Sequence, residues 1–115
     1  MPTVKLILSK KLERTEKENA ALQLTTLVAK ELGKPESVTQ AVVTDDTVIA
    51  FGGNFIAPSA FVVVMNIGPI KPEISKKLSI GICALLNKYG ISGQRTYINF
   101  CEKHGAEWGW NSEIF

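Results

Sequence analysis

The chain has 115 residues, of which 45% are hydrophobic and 21% are charged, and its formal net charge is +2. This length and composition predict a single globular domain over residues 1–115. Because the basic residues are interspersed with glutamates, we expect no nucleic-acid partner. No apolar run approaches the length of a membrane span and the first residues do not form a signal peptide, so we expect no membrane partner and a cytoplasmic location.

The first half of the chain is predicted to form a strand, a helix and a second strand. Residues 3–8 are rich in β-branched and apolar side chains, and TEKE at 15–18 has the form of a capping box that begins a helix. Apolar residues then recur at helical spacing until Gly33, which is placed to end the helix in the left-handed conformation. We expect the second strand over roughly residues 37–43 and an extended continuation over 47–51.

The second half repeats this order. AFVVVMN at 60–66 is an uninterrupted apolar run, typical of a strand that is buried on both faces. Pro72 suits the first turn of a helix, Gly90 suits its end, and residues 95–101 are predicted to form the last strand. The closing glycines are separated by the same number of residues as the strand starts. This pattern predicts an α+β fold built from a duplicated βαβ unit (βαββαβ), with a four-stranded mixed sheet and two helices on one face.

The other face of the predicted sheet is left without helices. Because AFVVVMN offers no polar side, this face is expected to be apolar, and a small protein should cover such a face with copies of itself. The pattern therefore predicts an oligomer and leaves its stoichiometry open.

Pro2 directly follows the initiator methionine. It can be an ordinary strand start, where the missing N–H breaks no ladder. A small residue at this position also permits enzymatic removal of Met1, which would leave Pro2 with a free secondary amine. That amine is basic and nucleophilic, and a strand would hold it in a fixed place.

The residues that most often bind metals or carry redox chemistry are few. Cys83 and Cys101 form no CxxC pair and are expected to be reduced thiols. His104, the single histidine, lies in the polar stretch EKHGAE and is expected at the surface. We therefore expect no metal site.

Six short motifs together indicate a known family. They are MP at 1–2, GKP at 33–35, AFGG at 50–53, NIG at 66–68, RTYINF at 95–100 and WGWN at 108–111. In this order and spacing, over the whole of residues 1–115, the chain resembles the macrophage migration inhibitory factor and D-dopachrome tautomerase family.

The resemblance implies a tautomerase-like homotrimer with active sites between neighbouring subunits and no cofactor. The family's base is its amino-terminal proline, which corresponds to Pro2 once Met1 is removed, and the family's lysine corresponds to Lys34. The implied substrate-binding residues are Lys34, Ile67, Asn66 (where members often carry a serine), Tyr97 and Asn99 from the adjacent subunit, and Trp108, Trp110 and Phe115 at the rim.

The implied reaction is keto–enol tautomerisation of an α-keto acid such as phenylpyruvate, or of a dopachrome-like compound. Such a reaction needs a base that is neutral at working pH and lies close to an acidic C–H. Burial and a neighbouring ammonium both lower the pKa of an α-amino group. Lys34 could supply that ammonium and also bind the substrate carboxylate.

Several of these residues also have plain structural interpretations. Lys34 follows a helix-ending glycine, where a lysine commonly complements the helix dipole. Tyr97 and Asn99 share one face of a strand, where packing explains the tyrosine, and a structural hydrogen bond explains the asparagine as well as a functional one does. Ile67 by itself is typical of a core residue.

The chain departs from the family pattern at some positions. Pro58 and Phe61 occupy the positions of a CxxC pair in the best-known vertebrate members, so thiol–disulfide oxidoreductase activity is not expected. Val38 replaces a tyrosine and Pro69 replaces a lysine found in some members, so the pocket should be less polar on that side.

Two classes of function stay open at this point. The first is a tautomerase that uses Pro2 as its base. The second is a cytokine-like protein, exported without a signal peptide to act on a cell-surface receptor, in which the tautomerase site is incidental. Receptor contacts form no linear motif, so the sequence does not choose between them.

Overall fold

The computed structural model describes residues 1–115 and contains two long helices and six strands. Along the chain they are β1 (Thr3–Leu8), α1 (Arg14–Leu32), β2 (Gln40–Thr44), β3 (Ala60–Ile67), α2 (Pro72–Lys88), β4 (Thr96–Lys103), β5 (Gly109–Trp110) and β6 (Glu113–Ile114). Short 3₁₀ helices precede β2, β4 and β5, at Glu36–Val38, Gly93–Arg95 and Gly105–Glu107.

The four longer strands form one sheet in the order β2-β1-β3-β4. β1 pairs parallel with β2, β3 pairs parallel with β4, and the central strands β1 and β3 run antiparallel. Parallel neighbours need a crossover connection, which α1 and α2 supply. Both helices pack on the same face, in one hydrophobic cluster with alternate residues of the central strands. The predicted duplicated βαβ unit with its mixed sheet is confirmed.

The helix ends follow the predicted signals with one exception. Gly33 ends α1 with a φ of 65°, and Pro72 is the first residue of α2, as expected. The predicted capping box at 15–18 is wrong, because α1 begins at Arg14 and the backbone N–H of Glu13 donates to the Glu16 carboxylate at 2.9 Å. Neither helix is both long and apolar enough to cross a bilayer.

Strand boundaries differ from the predictions on either side of β2. The second strand does not start at residue 37, because a tight turn after Pro35 comes first, in which the Thr39 hydroxyl donates to the Pro35 carbonyl at 2.9 Å. Residues 47–51, expected to continue the extended chain, belong to no strand of the sheet: the Thr47 N–H bonds to the Leu8 carbonyl at 3.1 Å and the chain crosses the end of β1. The last strand runs two residues beyond Cys101.

The face of the sheet opposite the helices is mixed and not wholly apolar. Strand alternation places Ile7, Phe61 and Met65 on it, but also Lys5 and Asn99. Phe61 is 40% exposed there. The prediction of an apolar face is therefore wrong in part, because AFVVVMN supplies only one of the four strands.

A short hairpin near the C-terminus was not predicted. β5 and β6 pair antiparallel through a two-residue turn in which Asn111 and Ser112 have φ values of 51° and 66°. Positive φ at both central residues is typical of the type I′ turn, whose twist matches that of the flanking strands in two-residue hairpins. Strands of two residues are too short to show any alternation in the sequence.

Candidate active site

The start of the chain is held firmly by the sheet. Pro2 is fully buried, and its carbonyl accepts a hydrogen bond from the Gln40 N–H of β2 at 3.1 Å. Met1, one residue earlier, is only half-buried and faces a surface cleft. Because β1 pairs with β2 on one side and with β3 on the other, the start of the chain has a fixed position in the sheet.

This cleft has a volume of about 320 Å³ and brings the chain start together with the C-terminal hairpin. Its lining residues are Met1, Thr3, Ser37, Val38, Thr39, Gln40, Trp108, Gly109, Trp110 and Phe115. All three predicted rim aromatics are among them.

The hairpin positions these aromatic side chains. The N–H of Phe115 donates to the Trp108 carbonyl at 3.1 Å, and the rings of Trp110 and Phe115 stack with centroids 6.0 Å apart. Gly105 allows the end of the chain to approach closely, because a Cβ at this residue would lie 2.6 Å from the Phe115 carbonyl oxygen. The outcome is a flat aromatic wall beside Met1.

The amino group in the cleft lies in an environment that disfavours its charge. Burial lowers the pKa of the Met1 amino group, and the positive charge of Lys34 lowers it further. Lys34 follows Gly33, which ends α1, and its N–H donates to the Ala29 carbonyl at 2.9 Å. An amine here is a free base at lower pH than an exposed one, so it can accept a proton near neutrality.

Asn66 and Ile67 lie at the end of β3, beside the chain start. Thr3 pairs with Met65. Asn66 and Ile67, the next two residues of β3, therefore continue the strand alongside Pro2 and Met1. Asn66 is 2% exposed, whereas Ile67 is partly buried on the face of the sheet opposite the helices. The structure brings both residues to the chain start, and their roles stay predictions.

Tyr97 and Asn99 are not brought to the chain start. They share the helix-free face of β4, as predicted, opposite Phe61 and Val63 of β3. Phe61 precedes the level of Pro2 by five residues of strand, or about 16 Å. Tyr97 is 67% exposed. Within one chain Tyr97 therefore lies near the other end of the sheet, and Asn99 lies beside the middle of β3, two strands away from Pro2.

Arg95, for which the sequence predicted no role, organises that other end. Its Nε donates to the Ser59 hydroxyl at 3.0 Å, and its Nη1 donates to the Asn54 side-chain oxygen at 2.9 Å. The guanidinium lies 5.5 Å from the Phe51 ring centroid, and that ring lies 5.0 Å from the Tyr97 ring. The Phe51 and Tyr97 rings line a second cleft of about 350 Å³. An arginine directly before the last strand was the only signal in the sequence.

No cluster of histidine, cysteine, aspartate and glutamate side chains has the arrangement of a metal site. Cys83 and Cys101 are free thiols, as predicted. His104 is exposed, and its backbone N–H donates to the Glu107 carboxylate at 2.9 Å.

Comparisons relate this chain to known proteins. The family model described as macrophage migration inhibitory factor matches residues 1–115. A macrophage migration inhibitory factor homolog from Trichuris trichiura is 34% identical over 90 residues, which cover 77% of this chain and 78% of that protein. The crystal structure of a macrophage migration inhibitory factor-like protein from Entamoeba histolytica matches with a TM-score of 0.93 at 30% identity, over 99% of this chain and 98% of that one. Leishmania major MIF2 matches with a TM-score of 0.89 at 31% identity, over 100% and 97% of the two chains.

Proposed function

Because this chain belongs to the macrophage migration inhibitory factor family, within the tautomerase superfamily, we propose that it is a cofactor-independent keto–enol tautomerase of the phenylpyruvate or dopachrome type. One observation supports this most directly. The terminal amino group lies in a cleft where burial and Lys34 lower its pKa. Proton transfer from a carbon acid needs a base that is unprotonated near neutral pH and a cation that stabilises the enolate.

In the proposed mechanism Met1 is removed and the Pro2 nitrogen is the general base. As a neutral secondary amine it takes a proton from the carbon next to the substrate's carbonyl, and the electron pair of that C–H bond forms the enolate. The resulting ammonium returns the proton to the enolate oxygen, which completes the keto-to-enol conversion and regenerates the amine. Lys34 binds the substrate carboxylate and stabilises the negative charge that develops.

The cleft suits a substrate with an aromatic ring. Trp108, Trp110 and Phe115 line it beside the chain start, and the stacked pair offers a flat apolar surface. Val38, in place of a tyrosine, supplies no hydroxyl on that side. We therefore propose an α-keto acid or enol with an aryl side chain as the substrate.

A homotrimer with active sites between subunits would complete this cleft. Tyr97 lies too far from Pro2 of the same chain to share a substrate with it, and Asn99 lies two strands away from Pro2. A neighbouring subunit packed on the partly exposed, helix-free face of the sheet could supply both side chains. Phe61 and Tyr97 are exposed apolar groups that such packing would bury.

Light scattering tests the trimer. In dilute neutral buffer we expect a molar mass three times that of the 12.6 kDa chain. A stable monomer at micromolar concentration would contradict both the trimer and the site between subunits.

The activity is tested by following the enol absorbance of phenylpyruvate with protein from which Met1 has been removed. The proposal expects saturable turnover without any added metal or coenzyme. Turnover that requires an added metal or coenzyme, or none above the buffer rate, would refute it.

A signalling role is the second candidate, since curated relatives are named for inhibition of macrophage migration. In that case the protein would bind a cell-surface receptor. A cell-migration assay with wild-type protein and with Pro2→Gly separates the two functions. Full migration activity in a variant with weakened catalysis would favour signalling as the main role.

A further inference from the structure

The carboxamide of Asn66 is buried, and only one of its two polar ends has a partner. Its Nδ2 donates to the Pro69 carbonyl at 3.4 Å, whereas its Oδ1 accepts no hydrogen bond from any protein group. Because the Pro69 carbonyl can only accept, the amide nitrogen must face it and Oδ1 must point elsewhere. A buried acceptor without a donor destabilises the fold, so we expect a hydrogen-bond donor near this atom.

The strand register places Asn66 directly opposite Pro2. Thr3 pairs with Met65 in the antiparallel ladder of β1 and β3, and one further step brings Pro2 against Asn66. The Pro2 carbonyl is directed to Gln40 of β2, so the two opposed residues form a non-hydrogen-bonded pair. In such pairs the Cα atoms are about 4.5 Å apart and the side chains lie on one face. The Asn66 carboxamide therefore lies beside the proline ring, on the same face of the sheet.

The Pro2 nitrogen has no hydrogen to donate while Met1 is attached to it, because it is then a tertiary amide. Removal of Met1 gives this nitrogen one hydrogen as an amine and two as an ammonium. Hydrogen bonds from a charged donor are stronger than those from a neutral one, so an acceptor at this place favours the ammonium.

We propose that Asn66 is a positioning residue whose Oδ1 accepts a hydrogen bond from the Pro2 nitrogen once Met1 is removed, and so favours its protonated form. The contact orients the proline ring. It also counteracts burial and the Lys34 charge, which lower the pKa of the amino group in this cleft. An amine whose pKa falls too far cannot hold the substrate proton. The catalytic consequence rests on the proposed tautomerase function, whereas the contact itself does not.

The elements packed around the chain start carry several other charged groups. They are Lys34 after α1, Lys5 on β1, Glu102 and Lys103 on β4, Glu113 on β6 and the carboxylate of Phe115, while β2 and β3 carry none. The Glu102 carboxylate already accepts the Ile70 N–H at 2.7 Å. Replacement of Asn66 by an uncharged residue leaves all of these charges in place, so a change in the Pro2 pKa reports on the carboxamide.

The test is an NMR titration of processed protein labelled with ¹⁵N-proline, which follows the Pro2 amine itself. Asn66→Leu removes the acceptor at similar volume, and Asn66→Asp replaces it with a carboxylate of the same shape. We expect the Pro2 pKa to fall by about one pH unit in the first and to rise by a similar amount in the second. The acid limb of the kcat/KM profile should move in the same directions. Asn87→Leu, on the exposed face of α2, is the control and should change neither.

An unchanged Pro2 pKa in the Asn66 variants would overturn the proposal. A higher KM with an unchanged pKa would also overturn it and assign Asn66 to substrate binding. Asn66→Asp is isosteric and keeps the test decisive should Asn66→Leu fail to fold. If processed wild-type protein shows no tautomerase activity, the proposed function fails, but the titration still decides whether the Oδ1 contact exists.

Discussion

We expect a form of the protein that keeps Met1 to lose nearly all tautomerase activity while its fold is unchanged. In that form the Pro2 nitrogen is an amide without a basic lone pair, and Pro2 stays buried at the start of β1. A second amine is nonetheless present, because the Met1 amino group lines the same cleft and its pKa is also lowered. The size of the loss depends on how well this amine can replace the proline.

The position of the Met1 amino group makes it a poor replacement for the Pro2 nitrogen. Loss of a positioned general base costs about 10²-fold to 10⁴-fold in rate. The Met1 nitrogen is displaced from the Pro2 nitrogen by one residue of extended chain, about 3.3 Å, and a misplacement of about 1 Å can already cost 10²-fold. We therefore expect the unprocessed form to retain no more than about 1% of the kcat/KM of the processed form.

The comparison uses one protein preparation in two states. The chain is released from a fusion so that Met1 is its first residue, and half is then treated with methionine aminopeptidase. Mass spectrometry verifies the loss of one methionine residue, and circular dichroism verifies an unchanged fold. Phenylpyruvate kinetics are measured on both halves, and processed Pro2→Gly, which keeps a looser primary amine, should show intermediate rates. Equal rates for the two halves would show that Pro2 is only a strand start.

Three further predictions concern charge and packing in the cleft and elsewhere in the fold. Lys34→Ala should lower kcat/KM for an anionic keto acid by about 10-fold to 100-fold, the value of a charge-assisted contact, with little change in the melting temperature. Lys30→Ala, on the exposed side of α1, is its control, and equal activities of the two variants would refute the assignment of Lys34. Gly105→Ala should displace the backbone of Phe115 and lower the free energy of unfolding by about 1–3 kcal/mol, and it should alter tryptophan fluorescence. An unchanged fluorescence spectrum and melting temperature would contradict the close packing of Gly105 against Phe115. Hydrogen bonds and a lysine neighbour lower the pKa of Asp45, so its stabilising effect is present at neutral pH and is lost as the pH falls below about 4. Asp45→Asn should therefore lower the melting temperature at pH 7, and this difference should shrink as the pH falls below about 4; a pH-independent difference would count against this reasoning.

The sequence by itself determined the order and type of the long elements. Gly33 ends α1 in the left-handed conformation and Pro72 begins α2, because these residue types restrict the backbone wherever they occur. The apolar spacings that mark the helices and AFVVVMN depend on neighbours within a few residues. Local geometry was therefore enough for the βαββαβ order, and the repeated spacing was enough for the duplication. Where local signals competed, at the start of α1 and after Pro35, the predicted boundaries were wrong.

The candidate site depended more on tertiary structure. The motifs named Pro2, Lys34 and the aromatic residues as a group, and their roles stay predictions. Only the folded chain decided that a two-residue turn carries Trp110 and Phe115 to the chain start, and that Tyr97 stays at the far end of the sheet. Only strand register set Asn66 opposite Pro2 with an unpaired oxygen. Distances between elements follow from strand order and register. Long-range packing sets both, and the spacing of residues along the chain does not encode them.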